Sequence, residues 1–171
     1  MRRLLCMLLL AVILCCLIGC DQQPEPTPSA VNFYYCRKNI TFNGENNVFV
    51  AEQRATAITD DLVVVMNEHL QGPESDSLYS PYPTTCQILS IKKVGTTLSV
   101  LFSAELARLT GPDLMLACVC TAMTLFDMTQ AETVIITAEG VLLDGKESVM
   151  LTPDRLVFTD TQPPEASDSV Q

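Results

Sequence analysis

The sequence predicts an α+β domain, in which two helices pack on one face of a small, mostly antiparallel β-sheet. Two observations indicate this fold class. Aromatic and β-branched runs occur in pairs around turn residues, as in β-hairpins, and two helical segments follow the pairs. The expected order is β-β-α-β-β-α-β, and helices set apart from antiparallel hairpins in this way are typical of α+β domains.

The first pair of strands is expected at Val31–Cys36 and Asn47–Ala51. Both runs are rich in aromatic and β-branched residues, which favour strands. Asn43-Gly44 lies between them and is a strong signal for a tight turn. The two runs are therefore predicted to form a hairpin.

A first helix is expected to begin after Thr59, whose hydroxyl suits the N-cap position. It should run to about Gln71, because Gly72-Pro73 follows. Glycine accepts the left-handed conformation that ends many helices, and proline cannot continue the hydrogen-bond ladder. The segment Glu74–Thr85, rich in serine and proline, is expected to be a loop.

A second hairpin is expected at Gln87–Val94 and Thr96–Phe102, around Gly95. In the second of these runs apolar residues recur at every other position, as in a half-buried strand. The apolar residues are Leu98, Val100 and Phe102.

A second helix is expected at about Pro112–Met128, since Gly111-Pro112 suits a helix start. Almost every face of this segment is apolar, which predicts deep burial. Thr133–Ala138 is then a β-branched strand, and Asp144-Gly145 indicates one further short hairpin.

The N-terminus predicts export. Arg2 and Arg3 precede the uncharged apolar run Leu4–Ile18, which is too short to span a membrane comfortably and is followed by a polar, proline-rich segment. The end of the run, Leu17–Cys20, resembles the lipobox of bacterial lipoproteins, in which the cysteine is acylated. The alternative is an ordinary secretory signal with a chance cysteine at position 20.

These features predict four segments: a lipoprotein signal peptide at 1–19, a lipidated Cys20 with a proline-rich tether at 20–30, the folded domain at 31–160, and a disordered tail at 161–171. The predicted location is the extracytoplasmic face of the cell membrane, with the N-terminal lipid as the anchor. Several acyl chains together give stable anchoring, which one chain does not.

The net charge of the chain limits the kinds of partner that it can bind. Removal of residues 1–19 takes two arginines and no acidic residue, which leaves 8 basic against 20 acidic residues and a net charge of −12. Such a chain lacks the basic stripe that phosphate contacts require, so nucleic acid is excluded as a partner.

Four cysteines remain beyond Cys20. Cys36 and Cys86 are candidates for a disulfide, which an oxidising exterior permits but does not require. Cys118 and Cys120, two residues apart on a predicted helix, point about 200° away from each other. They are interpreted as small core residues, since their spacing matches no zinc site.

Several stretches together resemble the GerM domain, a sporulation and spore-germination family often found on lipoproteins. The resemblance covers about residues 58–140 and is carried by Leu70–Pro73, Ile88–Val94, Leu98–Ser103, Thr124–Phe126 and Val134–Gly140. The chain departs from the family pattern in the turn near Pro81–Thr85 and at Glu139. The resemblance implies a domain similar to ring-building motifs, which pack against copies of themselves or relatives, and it implies no catalytic residues.

The residues themselves offer little chemistry. His69 is the only histidine, and no cofactor or metal motif is present, so no cofactor, metal or catalytic residue is predicted. A Cys86–His69 nucleophile and base would need a proximity that nothing in the sequence indicates. Exposed sheet edges, or the loop Leu78–Pro83 with Tyr79 and Tyr82, are the predicted contact sites, because tyrosines suit partly wet interfaces.

The sequence thus predicts a non-enzymatic interaction or assembly module, in a sporulation or spore-germination envelope complex. The expected partner is an envelope protein or a second copy of the chain. The alternative is a binder of a small ligand or of a cell-wall (peptidoglycan) fragment.

Overall fold

The computed structural model describes residues 29–39, 48–56 and 61–156. The predicted signal peptide, the lipid-modified Cys20, the Asn43-Gly44 turn, Thr59 and the C-terminal tail lie outside the described residues.

A small sheet contains three strands in the order β2-β1-β3, namely β1 (Ser29–Arg37), β2 (Phe49–Thr56) and β3 (Leu78–Tyr79). Strands β1 and β2 pair antiparallel from Ser29↔Thr56 to Cys36↔Phe49, as the predicted hairpin requires. Strand β3 falls in the segment predicted to be a loop. It is only two residues long, which is too short to show a period-2 pattern.

A larger sheet has the order β4-β5-β6-β7, namely β4 (Ile88–Val94), β5 (Thr97–Phe102), β6 (Thr133–Ala138) and β7 (Val149–Leu151). The β4–β5 pair is the predicted antiparallel hairpin, and its turn uses Gly95 at a φ of +60°. Strands β5 and β6 are parallel, since a helical crossover joins them. The α+β class is confirmed, with the strands divided between two sheets.

Two α-helices complete the fold. Helix α1 spans Leu62–Leu70, and its N-cap is Asp61 rather than the predicted Thr59, because the Asp61 carboxylate accepts a hydrogen bond from the backbone N–H of Val63 at 2.9 Å. Helix α2 spans Gly111–Thr129 and is the crossover between β5 and β6.

Helix α2 forms the centre of the core. It is long and apolar enough to cross a membrane, but half of its most apolar stretch is buried within the domain, and it contacts both sheets. Its buried side chains join Met66 of α1 and one face of the larger sheet in a single hydrophobic cluster. Both helices therefore pack on the same face of that sheet, as predicted.

The larger sheet has two unlike faces. Its inner face is buried and consists of alternate residues, namely Leu98, Val100, Phe102, Val134, Ile136, Ala138 and Leu151. The side chains between them form what we call the outer face, namely Thr97, Ser99, Leu101, Thr133, Ile135, Thr137 and Met150. These outer side chains are half-buried or exposed.

Candidate interaction surface

His69 lies in an aromatic cluster inside the domain. Its ring stacks on Phe33 at 5.3 Å between centroids and contacts the rings of Tyr35 at 4.8 Å and Tyr82 at 5.5 Å. The ring atom Nε2 lies 2.9 Å from the carbonyl oxygen of Tyr34. Because a carbonyl can only accept, Nε2 carries the proton and donates it. His69 is therefore a packing residue with a defined tautomer.

Burial affects both groups of the Cys86–His69 pair. Burial lowers the pKa of His69 to about 4, so the ring is neutral at pH 7. Burial raises the pKa of the Cys86 thiol to about 11, which keeps that sulfur protonated. Among the described residues, the Nδ1 atom of His69 is buried without a hydrogen-bond partner.

Both helices cover the edge of β1 at Tyr34. Its N–H donates to the Thr124 hydroxyl of α2 at 3.1 Å, while its carbonyl accepts from His69 of α1. The Asn32 amide donates to the Asp127 carboxylate at 2.8 Å on the same side. Unpaired strand edges are templates for adding another strand. At this position the edge is already satisfied by side chains of the domain itself.

The two tyrosines of the predicted contact loop differ. Tyr82 is 8% exposed, and its hydroxyl lies 3.0 Å from the Ala117 carbonyl and 2.8 Å from the Thr121 hydroxyl of α2. Tyr82 is therefore an anchor of the core and not a contact residue, because the loop folds its ring inward onto α2. Tyr79 is 37% exposed and remains accessible.

All four described cysteines are free and buried. The sulfur of Cys36 on β1 lies 3.7 Å from that of Cys120 on α2. The structure thus gives Cys36 a different neighbour from Cys86, its predicted partner. Cys118 is a core residue as predicted, and burial raises its pKa to about 12.

The acidic side chain of Glu52 has a structural role. It accepts hydrogen bonds from the backbone N–H groups of Glu74 at 3.1 Å and Ser75 at 2.9 Å, and it pairs with Arg54. Partial burial raises the pKa of Glu52, but these donors outweigh it and hold the pKa below its usual value. Arg54 in turn donates to the Gly72 carbonyl at 2.6 Å. Within residues 29–39, 48–56 and 61–156, no three ligating side chains are grouped to hold a metal ion.

The outer face of the larger sheet is nearly free of charge. None of its residues on β5, β6 and β7 is ionisable, although the chain has 20 acidic residues. Lys92 of β4, opposite Ser99, adds a single positive charge. Ile135 pairs directly with Met150, so two apolar side chains lie side by side on this face. Depletion of charge with apolar side chains at the centre is the composition of an interface core.

Further exposed apolar residues lie beside this face. Met150 and Leu142 are each 56% exposed, and Val141 is also exposed. A β-bridge between Ala138 and Val141 places the latter at the end of β6. Strand β7 forms one end of the described sheet, so this end carries both apolar side chains and an edge. Val141 faces the side of its inner-face partner Ala138, so we call the outer face, with the exposed Met150 at its edge, the outer surface.

The domain is similar in fold to solved structures of the sporulation protein GerM from Bacillus subtilis. Its tandem GerMN domains match with a TM-score of 0.52 and 18% identity, over 77% of this chain and 47% of that chain. Its first GerMN domain matches with a TM-score of 0.53 and 14% identity, over 70% of this chain and 91% of that chain. This chain has the GerMN fold.

The chain spans about half the length of the tandem structure, so it corresponds to one GerMN unit. No protein-family model matches the sequence, and a search of curated proteins found no match. The similarity at this level of identity describes the fold alone. The roles of individual residues therefore rest on the geometry of this chain.

The sequence predicted contact sites at exposed sheet edges in general. It did not identify Ile135 and Met150 as candidate contact residues. A usable signal was present in Thr133–Ala138, where the outward positions are threonine, isoleucine and threonine. A solvated outer strand face in so acidic a chain is expected to carry charges. The outward positions of β5 and β6 carry no charged side chain, and this absence of charge identifies the outer surface.

A shallow groove is lined by residues of β1, of α2 and of the segment that follows β7. Its volume is about 400 Å³, and it is lined by Tyr34, Met123, Phe126, Asp127, Pro153 and Leu156. The lining combines two aromatic rings with one carboxylate.

Proposed function

We propose that this chain is a membrane-anchored extracytoplasmic lipoprotein, and that its GerMN-fold domain is a non-catalytic interaction or assembly module. It acts in a sporulation or spore-germination envelope complex. Anchoring uses an acylated Cys20, and contact with the partner uses the outer surface. The partner is a second copy of the chain or another envelope protein.

One observation carries the proposal. The outer surface is almost uncharged and partly apolar in a chain that is strongly acidic elsewhere. His69 and Tyr82 instead make hydrogen bonds inside the domain, His69 to β1 and Tyr82 to α2. A surface with no internal role is therefore the part available for a partner.

The predicted anchor places the domain close to the membrane. Residues 21–28 separate Cys20 from β1 and include three prolines. Even a fully extended chain of that length spans only about 30 Å. A partner is thus expected within reach of the membrane surface.

The solved GerM structure supports the choice of partner. It contains GerMN domains in tandem, so domains of this fold occur next to each other. We therefore favour a partner of the same fold, which is a second copy of this chain or an envelope protein.

Crosslinking in living cells tests the proposal. Full-length protein with a C-terminal affinity tag is crosslinked in growing and in starved cultures, solubilised and analysed by mass spectrometry. We expect a self-crosslinked ladder or a recurrent envelope protein, and an N-terminal peptide that carries acyl groups at Cys20. A monomer in both cultures would contradict the assembly role, and an unmodified Cys20 would contradict the anchor.

The groove beside β1 favours one second candidate, a binder of a small ligand or a peptidoglycan fragment. Titration with soluble cell-wall fragments, followed by NMR, would then shift the signals of Phe126 and Met123. Unchanged signals at saturating fragment concentration would exclude this candidate.

A further inference from the structure

Two cysteine sulfurs meet inside the domain. Cys36 lies near the end of β1 and Cys120 in the middle of α2, and their sulfur atoms are 3.7 Å apart. The residues are 84 positions apart in the sequence, so the fold alone brings them together. Both side chains are almost completely buried.

The distance is short enough for a bond to form. A disulfide has a sulfur–sulfur length of about 2.0 Å, so the two atoms must approach by less than about 2 Å.

The two thiols also interact in the folded domain. A hydrogen bond between them lowers the pKa of Cys36, with burial opposing it and Tyr79 adding to it. Burial raises the pKa of Cys120, as it does for Cys86 and Cys118. Cys36 is thus in direct contact with Cys120.

We propose that Cys36 and Cys120 form a disulfide that ties β1 to α2 when the chain folds outside the membrane. Its location rests on the export part of the proposed function, since oxidising compartments maintain disulfides. The bond joins the small sheet to the helix at the centre of the core. It replaces the Cys36–Cys86 pairing that the sequence alone suggested.

The oxidant is a disulfide, either of an envelope thiol oxidase or of glutathione. The thiolate of one of the two cysteines attacks one sulfur of that disulfide, which forms a mixed disulfide and releases one thiolate. The thiolate of the other cysteine then attacks the sulfur of the first, and the second thiolate of the oxidant leaves. The two cysteines lose two electrons and two protons, and the oxidant gains them.

The reaction is expected before α2 closes on β1. In the folded domain neither sulfur is accessible, so an external disulfide cannot reach it. Once formed, the bond closes a loop of more than 80 residues in the unfolded chain. Long loops give the largest restriction of the unfolded state.

Peptide mapping of the full-length protein, isolated from the cell envelope, tests the inference. Cells are quenched in acid and free thiols are alkylated before reduction. We expect Cys36 and Cys120 in one linked peptide, with Cys86 and Cys118 alkylated. Cys86→Ser and Cys118→Ser are matched controls that should leave the link unchanged.

The same map separates this inference from the proposed function, because it reports the acyl groups on Cys20. If Cys20 is unmodified, the purified full-length chain is refolded with oxidised and reduced glutathione, and the pair is mapped again. Formation of the Cys36–Cys120 link there supports the inference. Alkylated Cys36 and Cys120 after such refolding, or a link from Cys36 to Cys86, would overturn it.

Discussion

The junction between β1 and the helices and the outer face of the larger sheet use polar side chains in opposite ways. In the junction, His69 and Thr124 are buried and each makes a defined hydrogen bond to Tyr34 of β1. On the outer face, threonines, Ile135 and Met150 are accessible. Burial and internal bonding therefore identify the groups that hold the fold, and the remaining uncharged surface is the one available for a partner.

The largest effect on stability is expected at the junction. His69→Ala removes a ring packed among three aromatic side chains and leaves the Tyr34 carbonyl without its donor. The free energy of unfolding should fall by about 3 kcal/mol, measured by urea denaturation. Val64→Ala, on an exposed position of the same helix, is the control and should cost less than about 0.5 kcal/mol. Equal effects would show that His69 is not a packing residue.

The second prediction concerns the stability of the domain at acidic pH. Well above pH 6.5, the usual pKa of histidine, His69 is neutral in both the folded and the unfolded state. As the pH falls from 6.5 towards 4, the unfolded chain binds a proton at this residue and the folded protein, with its lowered pKa, does not. The free energy of unfolding should therefore decrease as pH falls, by about 2 kcal/mol at about pH 5.

A control for this effect exists because the chain has one histidine. His69→Gln keeps a donor for the Tyr34 carbonyl and does not titrate. Its urea midpoint should change much less than that of the unsubstituted protein between pH 6.5 and about pH 5. Carboxylates with a lowered pKa, such as Glu52, also stabilise the folded protein. They lose this contribution mainly at pH values below the measured range. The same acid sensitivity in His69→Gln would contradict the assignment.

A smaller effect is expected from the loop tyrosines. Tyr82→Phe removes a buried hydroxyl bonded to Ala117 and Thr121, so the free energy of unfolding should fall by about 1 kcal/mol. Tyr79→Phe, three residues earlier and partly exposed, should cost less. Thermal or urea unfolding measures both. A greater loss for Tyr79→Phe would reverse the roles that the structure gives the two rings.

The smallest effect on stability is expected on the outer surface. Met150→Glu changes an exposed side chain, so the free energy of unfolding should stay within about 0.5 kcal/mol. The introduced carboxylate should nevertheless weaken association, because an unpaired charge at an interface core is costly. Val64→Glu introduces the same charge at an exposed position of α1, outside the outer surface, and should leave association unchanged. The yield of crosslinked product in cells measures the association of both variants.

Much of the element order could be predicted from local patterns. Strands β5 and β6 begin and end within one residue of their predicted bounds, because their buried residues alternate strictly. The bounds of α2 are equally close, since proline at its start limits the choice. These signals depend on neighbouring residues and need no knowledge of the rest of the chain.

The remaining features depend on contacts between distant residues. The division into two sheets and the parallel pairing of β5 with β6 follow from how α2 crosses between them, which no local pattern specifies. For the same reason the sequence could not rank Tyr82 against Tyr79 as a contact residue. It also could not place Cys36 beside Cys120, since the two come from different elements.

The most direct test of the central claim is site-specific photo-crosslinking in cells that carry the full-length protein. A photoreactive amino acid is placed at Met150 on the outer surface and, in a separate variant, at Val64 on α1, positions of nearly equal exposure. The account predicts a discrete adduct, with a second copy or an envelope protein, from position 150 and none from position 64. Adducts from position 64 alone, or from neither position in growing and starved cells, would contradict it.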